Sequence, residues 1–213
     1  MSATVHRAAE VFLERPLMYR LLHSATGLRR LHARLIEDVM GLFEDRSTVR
    51  VLDLGCGPGD TPPLLGRHGS YTGVDLNPRY IADARRRNGS AASFVVGDAA
   101  ELDPAQFEPF DVILAFGLVH HLDDEHADKL LRAVSRLLRP TGRFVSLDGC
   151  RHADATSLER WLLDHDRGRF VRDQDAYLAM FSRHLVIDRT FRDASDMHIP
   201  YSILSVTARA ARA

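Results

Sequence analysis

VLDLGCGPGD, residues 51–60, carries the strongest structural signal in this chain. The apolar residues before Gly55 favour a buried strand, and three glycines at two-residue spacing follow it. Glycine allows positive φ angles and lets the main chain approach a ligand with no Cβ atom in between. The segment therefore predicts a strand that runs into a ligand-binding turn, with a helix after it that aims free N–H groups at the ligand.

The spacing of the glycines separates two classes of ligand. A dinucleotide fingerprint has the pattern G-x-G-x-x-G, whereas this chain has Gly55-x-Gly57-x-Gly59 with Asp53 before it and Pro58 inside it. The pattern resembles the first motif of the class I S-adenosylmethionine-dependent methyltransferases. That resemblance implies that the loop holds the methionine end of the cofactor, through these residues: Asp53, Gly55, Cys56, Gly57 and Gly59.

Composition bounds the possible functions. The chain has 213 residues, 45% of them hydrophobic and 27% charged, with a net charge of −1. These values are typical of one globular domain and give no basic field for nucleic acid. Two cysteines favour a reducing cytoplasm, and no segment reads as a signal peptide or a membrane span. Lys129 is the only lysine, a bias that hints at a GC-rich, bacterial genome.

The order of predicted elements is that of an α/β fold. Helical patterns over residues 6–43, broken near Pro16 and Gly27, come first, and then helices alternate with short apolar strands. Helices are predicted at 60–67, 79–88, 124–138, 155–164 and 175–184, and strands at 51–54, 71–75, 93–97, 110–116, 143–147, 185–187 and 202–207, with a turn at 139–142.

The methyltransferase resemblance extends over residues 49–148, because the paired histidines, the long helix and the R-P-x-G turn follow in the family's order. It implies a doubly wound, mostly parallel seven-stranded sheet, with an antiparallel last strand. The whole chain, 1–213, is expected to form one domain. Residues 1–45 would be an N-terminal helical cap, and residues 150–183 a helical insert near the substrate side.

Acidic residues end two of the predicted strands. Asp75 ends the second strand, where a carboxylate can accept both hydroxyl protons of a ribose. Asp98 follows the third strand and either caps the next helix or, as the resemblance implies, binds the adenine amino group, with the N–H of Ala99 on a ring nitrogen. Three further cofactor contacts are predicted: Tyr19, Leu76 and Phe116.

His120 and His121 follow the fourth strand, at the sheet edge where open α/β sheets bind ligands. Either imidazole could remove a proton from a methyl acceptor, and both could instead only shape the pocket. A Mg²⁺ site is not expected, because no carboxylate ends the fourth strand to pair with Asp148. Cys150 is expected to be a buried thiol.

The predicted function is methyl transfer from S-adenosylmethionine, which leaves S-adenosylhomocysteine, to an oxygen or nitrogen of a small-molecule metabolite. Three alternatives remain. One is an RNA or protein methyltransferase that uses a basic patch of Arg29, Arg30, Arg34 and residues 85–87; the others are a cofactor-binding protein without catalysis and a nicotinamide dehydrogenase, which the glycine spacing disfavours. The acceptor and the oligomeric state do not follow from the sequence.

Overall fold

The computed structural model describes residues 20–21, 24–66, 68–165, 168–192 and 195–211. The strands are β1 (Arg50–Leu54), β2 (Ser70–Asp75), β3 (Ser93–Val96), β4 (Phe110–Phe116), β5 (Leu138–Arg151), β6 (Arg172–Asp173), β7 (Leu185–Phe191) and β8 (Ile203–Ala210). The α-helices are α1 (Leu28–Met40), α2 (Pro62–Leu65), α3 (Pro78–Asn88), α4 (Asp124–Leu137), α5 (Ser157–Asp164) and α6 (Gln174–Phe181).

The main sheet has the strand order β3-β2-β1-β4-β5-β8-β7, and the two-residue strand β6 pairs with the end of β5. Strands β1 to β5 are parallel, whereas β8 runs antiparallel to both of its neighbours. The predicted seven-stranded, mostly parallel sheet with an antiparallel last strand is confirmed. Its order reverses between β1 and β4, so ligands are expected at the carboxyl ends of these two strands.

Helices cover both faces of the sheet, and the central strand β4 shows why. All seven of its residues are buried, as a strand with two covered faces requires. Val112 and Leu114 pack with the apolar side of α1, while Ile113 and Ala115 pack with α4. Because successive side chains point to opposite faces, one apolar run fills two cores.

Two predicted elements differ from the structure. The helix predicted at 60–67 is reduced to Pro62–Leu65, because two prolines open it and Gly66, at φ 62°, ends it. The turn predicted at 139–142 lies inside β5. Arg139 donates to the Asp111 carboxylate at 3.0 Å, and the register with β4 shifts between Phe110 and Val112. The ladder passes from Leu138 opposite Phe110 to Arg143 opposite Val112, so residues 139–142 interrupt the pairing inside β5 and have no ladder partner in β4.

The predicted cap is only partly described. Helix α1 lies on the sheet with five buried side chains, and residues 24–26 before it are helical. Residues 1–19, 22 and 23 lie outside the described part of the chain, so the cap stays a prediction. In the predicted insert, α6 contributes Tyr177, Met180 and Phe181 to the core, and the segment is therefore also structural. No described helix is long and apolar enough to span a membrane.

Candidate functional site

The glycine turn joins β1 to α2 at the carboxyl edge of the sheet. Gly55, Gly57 and Gly59 have φ angles of 71°, 55° and 73°, a region that other L-residues avoid. A Cβ atom on Gly59 would lie 2.8 Å from the Cβ of Ala84 and from Nδ2 of Asn88. The turn therefore depends on glycine both for its conformation and for its close approach to α3.

The C-terminal turn of α3 holds the glycine turn in place. Arg87 donates to the carbonyl of Pro58 at 2.8 Å, and Asn88 donates to the carbonyl of Gly59 at 3.0 Å. Arg87 also forms an ion pair with Asp60 at 2.7 Å. Arg85, from the same basic run, donates to the carbonyl of Phe94.

The N–H groups of the turn are engaged within the protein. Gly55 and Cys56 donate to the carbonyl of Val74, Gly59 donates to that of Cys56, and Gly57 donates to the Asp75 carboxylate at 2.9 Å. Pro58 has no N–H, and the prolines of α2 offer none either. A pyrophosphate needs such donors, so this turn does not suit a dinucleotide. The expected set of free N–H groups over the turn is not formed.

Asp75 connects the turn to the end of β2. Its Oδ2 accepts from the N–H of Gly57 at 2.9 Å and its Oδ1 accepts from that of Asn77 at 2.8 Å. Burial raises the pKa of the Asp75 carboxyl, and the two backbone hydrogen bonds oppose this rise. Each oxygen keeps a lone pair for a further donor. Leu76, the next residue, is 69% exposed and offers an apolar face at the same edge.

Asp53 lies beneath the turn and is buried. The hydroxyl of Tyr71 donates to its Oδ2 at 2.7 Å. Burial raises the pKa of the Asp53 carboxyl to about 6, despite hydrogen bonds from Tyr71 and Thr61. An ionised Asp53 places a negative charge close under the turn, where a positively charged ligand group would be stabilised.

Cys56 and Phe116 are both buried. The Cys56 thiol points under the turn, where a Cβ atom on Gly73 would lie 2.8 Å from its Sγ atom. Burial raises the pKa of this thiol well above its usual range, so it is unreactive. The ring of Phe116 packs on that of His32 from α1, with 4.6 Å between centroids. Both side chains thus pack beneath the glycine turn and the end of β4.

Asp98 caps the short 3₁₀ helix at residues 99–101. Its Oδ1 accepts from the N–H of Ala100 at 2.9 Å, so the capping interpretation is correct. The side chain is exposed at the carboxyl end of β3, and Ala99 beside it is buried. The adenine contact is compatible with this cap, and it stays a prediction. Tyr19 lies outside the described residues.

The two histidines have different surroundings. His121 is exposed, whereas His120 is 6% exposed, and their rings lie 4.3 Å apart. His120 Nδ1 lies 2.9 Å from Oδ1 of Asp148, which also accepts from the backbone N–H of His120 at 3.2 Å. An ionised carboxylate can only accept, so Nδ1 carries the proton and Nε2 is the basic nitrogen.

Asp148 ends the strand segment that pairs with the end of β4, and it is 3% exposed. Among the described residues, its Oδ2 has no hydrogen-bond partner. A buried carboxylate of this kind stabilises a positive charge on the neighbouring imidazole. The pair can therefore accept a proton from a bound molecule. The segment that leads to the histidines lies against the glycine turn, because the Leu118 side chain lies 3.3 Å from a Cβ placed on Gly55.

Comparisons with known proteins agree with this geometry. Residues 51–142 match the family model described as "Methyltransferase domain". Residues 51–142 thus have the sequence of a methyltransferase domain. A fatty-acid O-methyltransferase of Mycolicibacterium smegmatis is 37% identical to it over 54% of this chain and 42% of that protein. A ubiquinone/menaquinone biosynthesis C-methyltransferase of Pseudomonas putida is 33% identical over 69% of this chain and 59% of that protein.

Solved methyltransferases share the fold of this domain. The N-methyltransferase NodS from Bradyrhizobium japonicum, in complex with S-adenosylhomocysteine, aligns with a TM-score of 0.72 at 20% identity over 97% of this chain and 98% of that one. The methyltransferase domain and its flanking segments span about half the length of the curated relatives they match. The activity of the whole protein is therefore a matter for proposal.

Sequence reasoning missed three parts of the site in this methyltransferase domain. Asp148 was considered only as a metal ligand, although an acid at the end of the fifth strand repeats the pattern of Asp75 in the second. The hydroxyl of Tyr71 and the clamp of Arg87 and Asn88 had no signal in the sequence, because each contact joins residues 18 to 29 positions apart.

Proposed function

We propose that this chain is an enzyme that transfers a methyl group from S-adenosylmethionine to a small-molecule metabolite. The observation that carries the proposal is the His120–Asp148 pair beside a glycine turn that has no donors for a pyrophosphate. A buried acid under the turn and a proton acceptor next to it suit a cationic donor and an acceptor that must lose a proton. Oxygen and nitrogen remain the expected methyl acceptors.

The residues of the carboxyl edge would hold the cofactor as follows. Asp75 accepts the hydroxyl protons of the ribose, Leu76 packs on the adenine, and Asp98 accepts the adenine amino group. Asp53 favours the positive charge of the sulfonium and the ammonium groups. The bound cofactor supplies an intrinsically activated methyl group, and the protein's task is to orient the acceptor in line with it.

His120 would be the general base. Its Nε2 takes the proton of an acceptor O–H or N–H, while Nδ1 keeps its hydrogen bond to Asp148. The acceptor's lone pair then forms the new bond to the methyl group, and the electrons of the broken S–CH3 bond stay on sulfur. Asp148 stabilises the imidazolium without taking its proton. His121, exposed on the same short helix, would line the acceptor side.

The acceptor proposed for this site has an apolar part. Helix α5 exposes Leu158 and Trp161, each at 53%, and Phe170 is 40% exposed. Of these residues, Phe170 lies next to His120, because its N–H donates to the carbonyl of His120 at 2.9 Å, and α5 precedes it in the chain. The names of the two curated relatives, a fatty-acid enzyme and a quinone enzyme, support the same substrate class.

The RNA or protein alternative has less support. Four arginines of the proposed basic patch are engaged with internal partners: Arg34 with Asp196, Arg85 with Phe94, Arg86 with Asp83 and Arg87 with Asp60. Arg29 and Arg30 make no such contact with the part of the chain that the structure describes. Salt-sensitive binding of a single-stranded RNA oligomer would favour this alternative.

Two measurements test the proposal. Calorimetric titration with S-adenosylhomocysteine and with NAD should give binding of the first and none of the second. Incubation with labelled S-adenosylmethionine and a phenol with an apolar tail should label the acceptor, and His120→Ala should reduce turnover by about 100-fold or more, with cofactor affinity kept. Cofactor binding with no transfer to any acceptor would indicate the non-catalytic alternative, and full activity of His120→Ala would exclude the base.

A further inference from the structure

Arg172 contacts the segment that carries the two histidines. Its guanidinium donates five hydrogen bonds: to the carbonyls of Val119 (3.4 Å), Leu122 (2.9 Å) and Phe170 (2.9 Å), and twice to Oδ1 of Asp124 (2.7 and 3.1 Å). Its side chain is only 11% exposed, although the Asp124 carboxylate is 85% exposed. The carbonyls of residues 119 and 122 flank His120 and His121, so Arg172 spans the turn in which both lie.

The backbone of Arg172 is tied to the strand that carries Asp148. Arg172 pairs with Cys150 in the parallel β5–β6 ladder, two residues beyond Asp148. The Tyr177 ring lies under the Arg172 guanidinium, 5.9 Å from its Cζ, and the Tyr177 hydroxyl donates to the carbonyl of Gly149 at 3.0 Å. One short segment thus contacts the turn that carries His120 and the strand that carries Asp148.

The residues just before Arg172 lie against His120 itself. The N–H of Phe170 donates to the carbonyl of His120 at 2.9 Å. A Cβ atom on Gly168 would lie 2.1 Å from Cδ2 of His120, so only glycine leaves room for the ring in this position. The ring is therefore held by Asp148 through Nδ1 and by the 168–170 backbone on its Cδ2 side.

We propose that Arg172 is a positioning residue for His120. It fixes the carbonyls on both sides of the histidine turn relative to β5. His120 Nδ1 therefore stays hydrogen-bonded to Asp148, and His120 Nε2 keeps a single orientation. This inference rests on the proposed role of His120 as the base. A guanidinium is suited to the task because its rigid fork holds several carbonyls at once, which a lysine ammonium does not do.

The test uses the full chain saturated with S-adenosylhomocysteine and the variants Arg172→Lys and Arg172→Ala. Arg132→Ala is the control, since Arg132 pairs with Asp128 on the same helix as Asp124 but is 59% exposed. The imidazole N–H signal of His120, assigned by its loss in His120→Gln, is recorded by proton–nitrogen NMR. We expect it in the wild type and in Arg132→Ala, and we expect its loss through solvent exchange in Arg172→Lys, which keeps the charge.

Kinetics with a phenol that carries an apolar tail give a second readout. A displaced base should lower kcat of Arg172→Lys by about 10-fold and that of Arg172→Ala by about 100-fold, with KM and cofactor affinity within about twofold. In an Asp148→Asn background, replacement of Arg172 should lower kcat by less than about a further 3-fold, because both changes release the His120 ring. An intact His120 signal or an unchanged kcat in Arg172→Lys overturns the inference, whereas full activity of His120→Ala overturns the proposed base instead.

Discussion

The hydroxyl of Tyr71 donates to the buried carboxylate of Asp53 at 2.7 Å, directly beneath the glycine turn. This contact joins β1 to its neighbour β2 at the strand ends where the cofactor is expected. Burial outweighs the hydrogen bond and raises the pKa of Asp53 to about 6. Burial of the ionised Asp53 carboxylate is therefore unfavourable in the ligand-free protein, and a cationic ligand above the turn would offset this unfavourable free energy.

Asp53 should make the stability of the ligand-free protein depend on pH. Its pKa is higher in the folded state than in the unfolded chain, so its contribution is fully present below about pH 4 and is lost as the pH rises through 6. The rise to about 6 corresponds to about 3 kcal/mol of unfolding free energy. Asp53→Asn should remove this dependence, and urea unfolding at pH 5 and 7.5 measures it. An equal effect of the substitution at both values contradicts the prediction.

Affinity for the cationic cofactor should rise over the same pH range. Ionisation of Asp53 adds a negative charge under the turn as the pH passes 6, which favours S-adenosylmethionine by charge attraction. Calorimetry at pH 5.5 and 7.5 should show at least about 3-fold tighter binding at the higher value. The dependence should weaken in Asp53→Asn. A pH-independent affinity in the wild type would speak against a cationic ligand above Asp53.

Gly59→Ala should disrupt the turn far more than Gly66→Ala. Both residues have positive φ angles, 73° and 62°, so an alanine is strained at either position. A Cβ on Gly59 also lies 2.8 Å from Ala84 and Asn88, whereas one on Gly66 meets nothing within 4 Å. Thermal unfolding and titration with S-adenosylhomocysteine should show a larger loss of both stability and affinity for Gly59→Ala. Equal losses would mean that the contact with α3 is unimportant.

Asp75→Asn should weaken cofactor binding by at least about 10-fold, since an amide can accept at only one of its two positions. The other position would face the N–H of Gly57 or Asn77 with a second donor. The loss should appear in the affinity for S-adenosylhomocysteine, and adenosine should show it as well because the ribose is the proposed partner. If adenosine binding is unchanged, Asp75 only supports the turn.

Asp98 and Asp103 form a matched pair of caps. Each accepts from the backbone N–H two residues ahead at 2.9 Å and starts a three-residue 3₁₀ helix. Replacement by alanine should cost each helix a similar amount, about 1 kcal/mol. Asp98→Ala alone should lower the affinity for S-adenosylhomocysteine, because only Asp98 stands at the carboxyl end of a strand. An equal affinity in both variants would exclude the adenine contact.

The fold could be predicted largely from local pattern. The apolar run at 110–116 predicted both ends of β4 correctly. Asn77 and Asp123 cap the N-termini of α3 and α4. The segment 139–142 has the composition of a turn, and it lies within β5 as four residues that have no ladder partner in β4. Its place inside one long strand depends on the pairing of Leu138 and Arg143 with β4, which leaves no local signal in the sequence.

The candidate site contains residues that could be predicted from the sequence and partners that could not. Gly55, Asp75 and His120 could be found in the sequence, because conformational freedom and the ends of strands leave a local trace. The partners that decide their chemistry could not. Asp148 lies 28 residues beyond His120, and Arg172 lies 50 residues beyond Leu122, so no spacing connects them.

The amino-acid sequence by itself determined the succession of strands and helices along the chain, the turn and the type of side chain at each strand end, because apolar periodicity and glycine content act over a few residues. The tertiary structure decided which of the two histidines is buried against a carboxylate, and it closed the turn's N–H groups to anions. Those outcomes depend on distances between strands that are far apart in the chain, and only the packed sheet sets these distances.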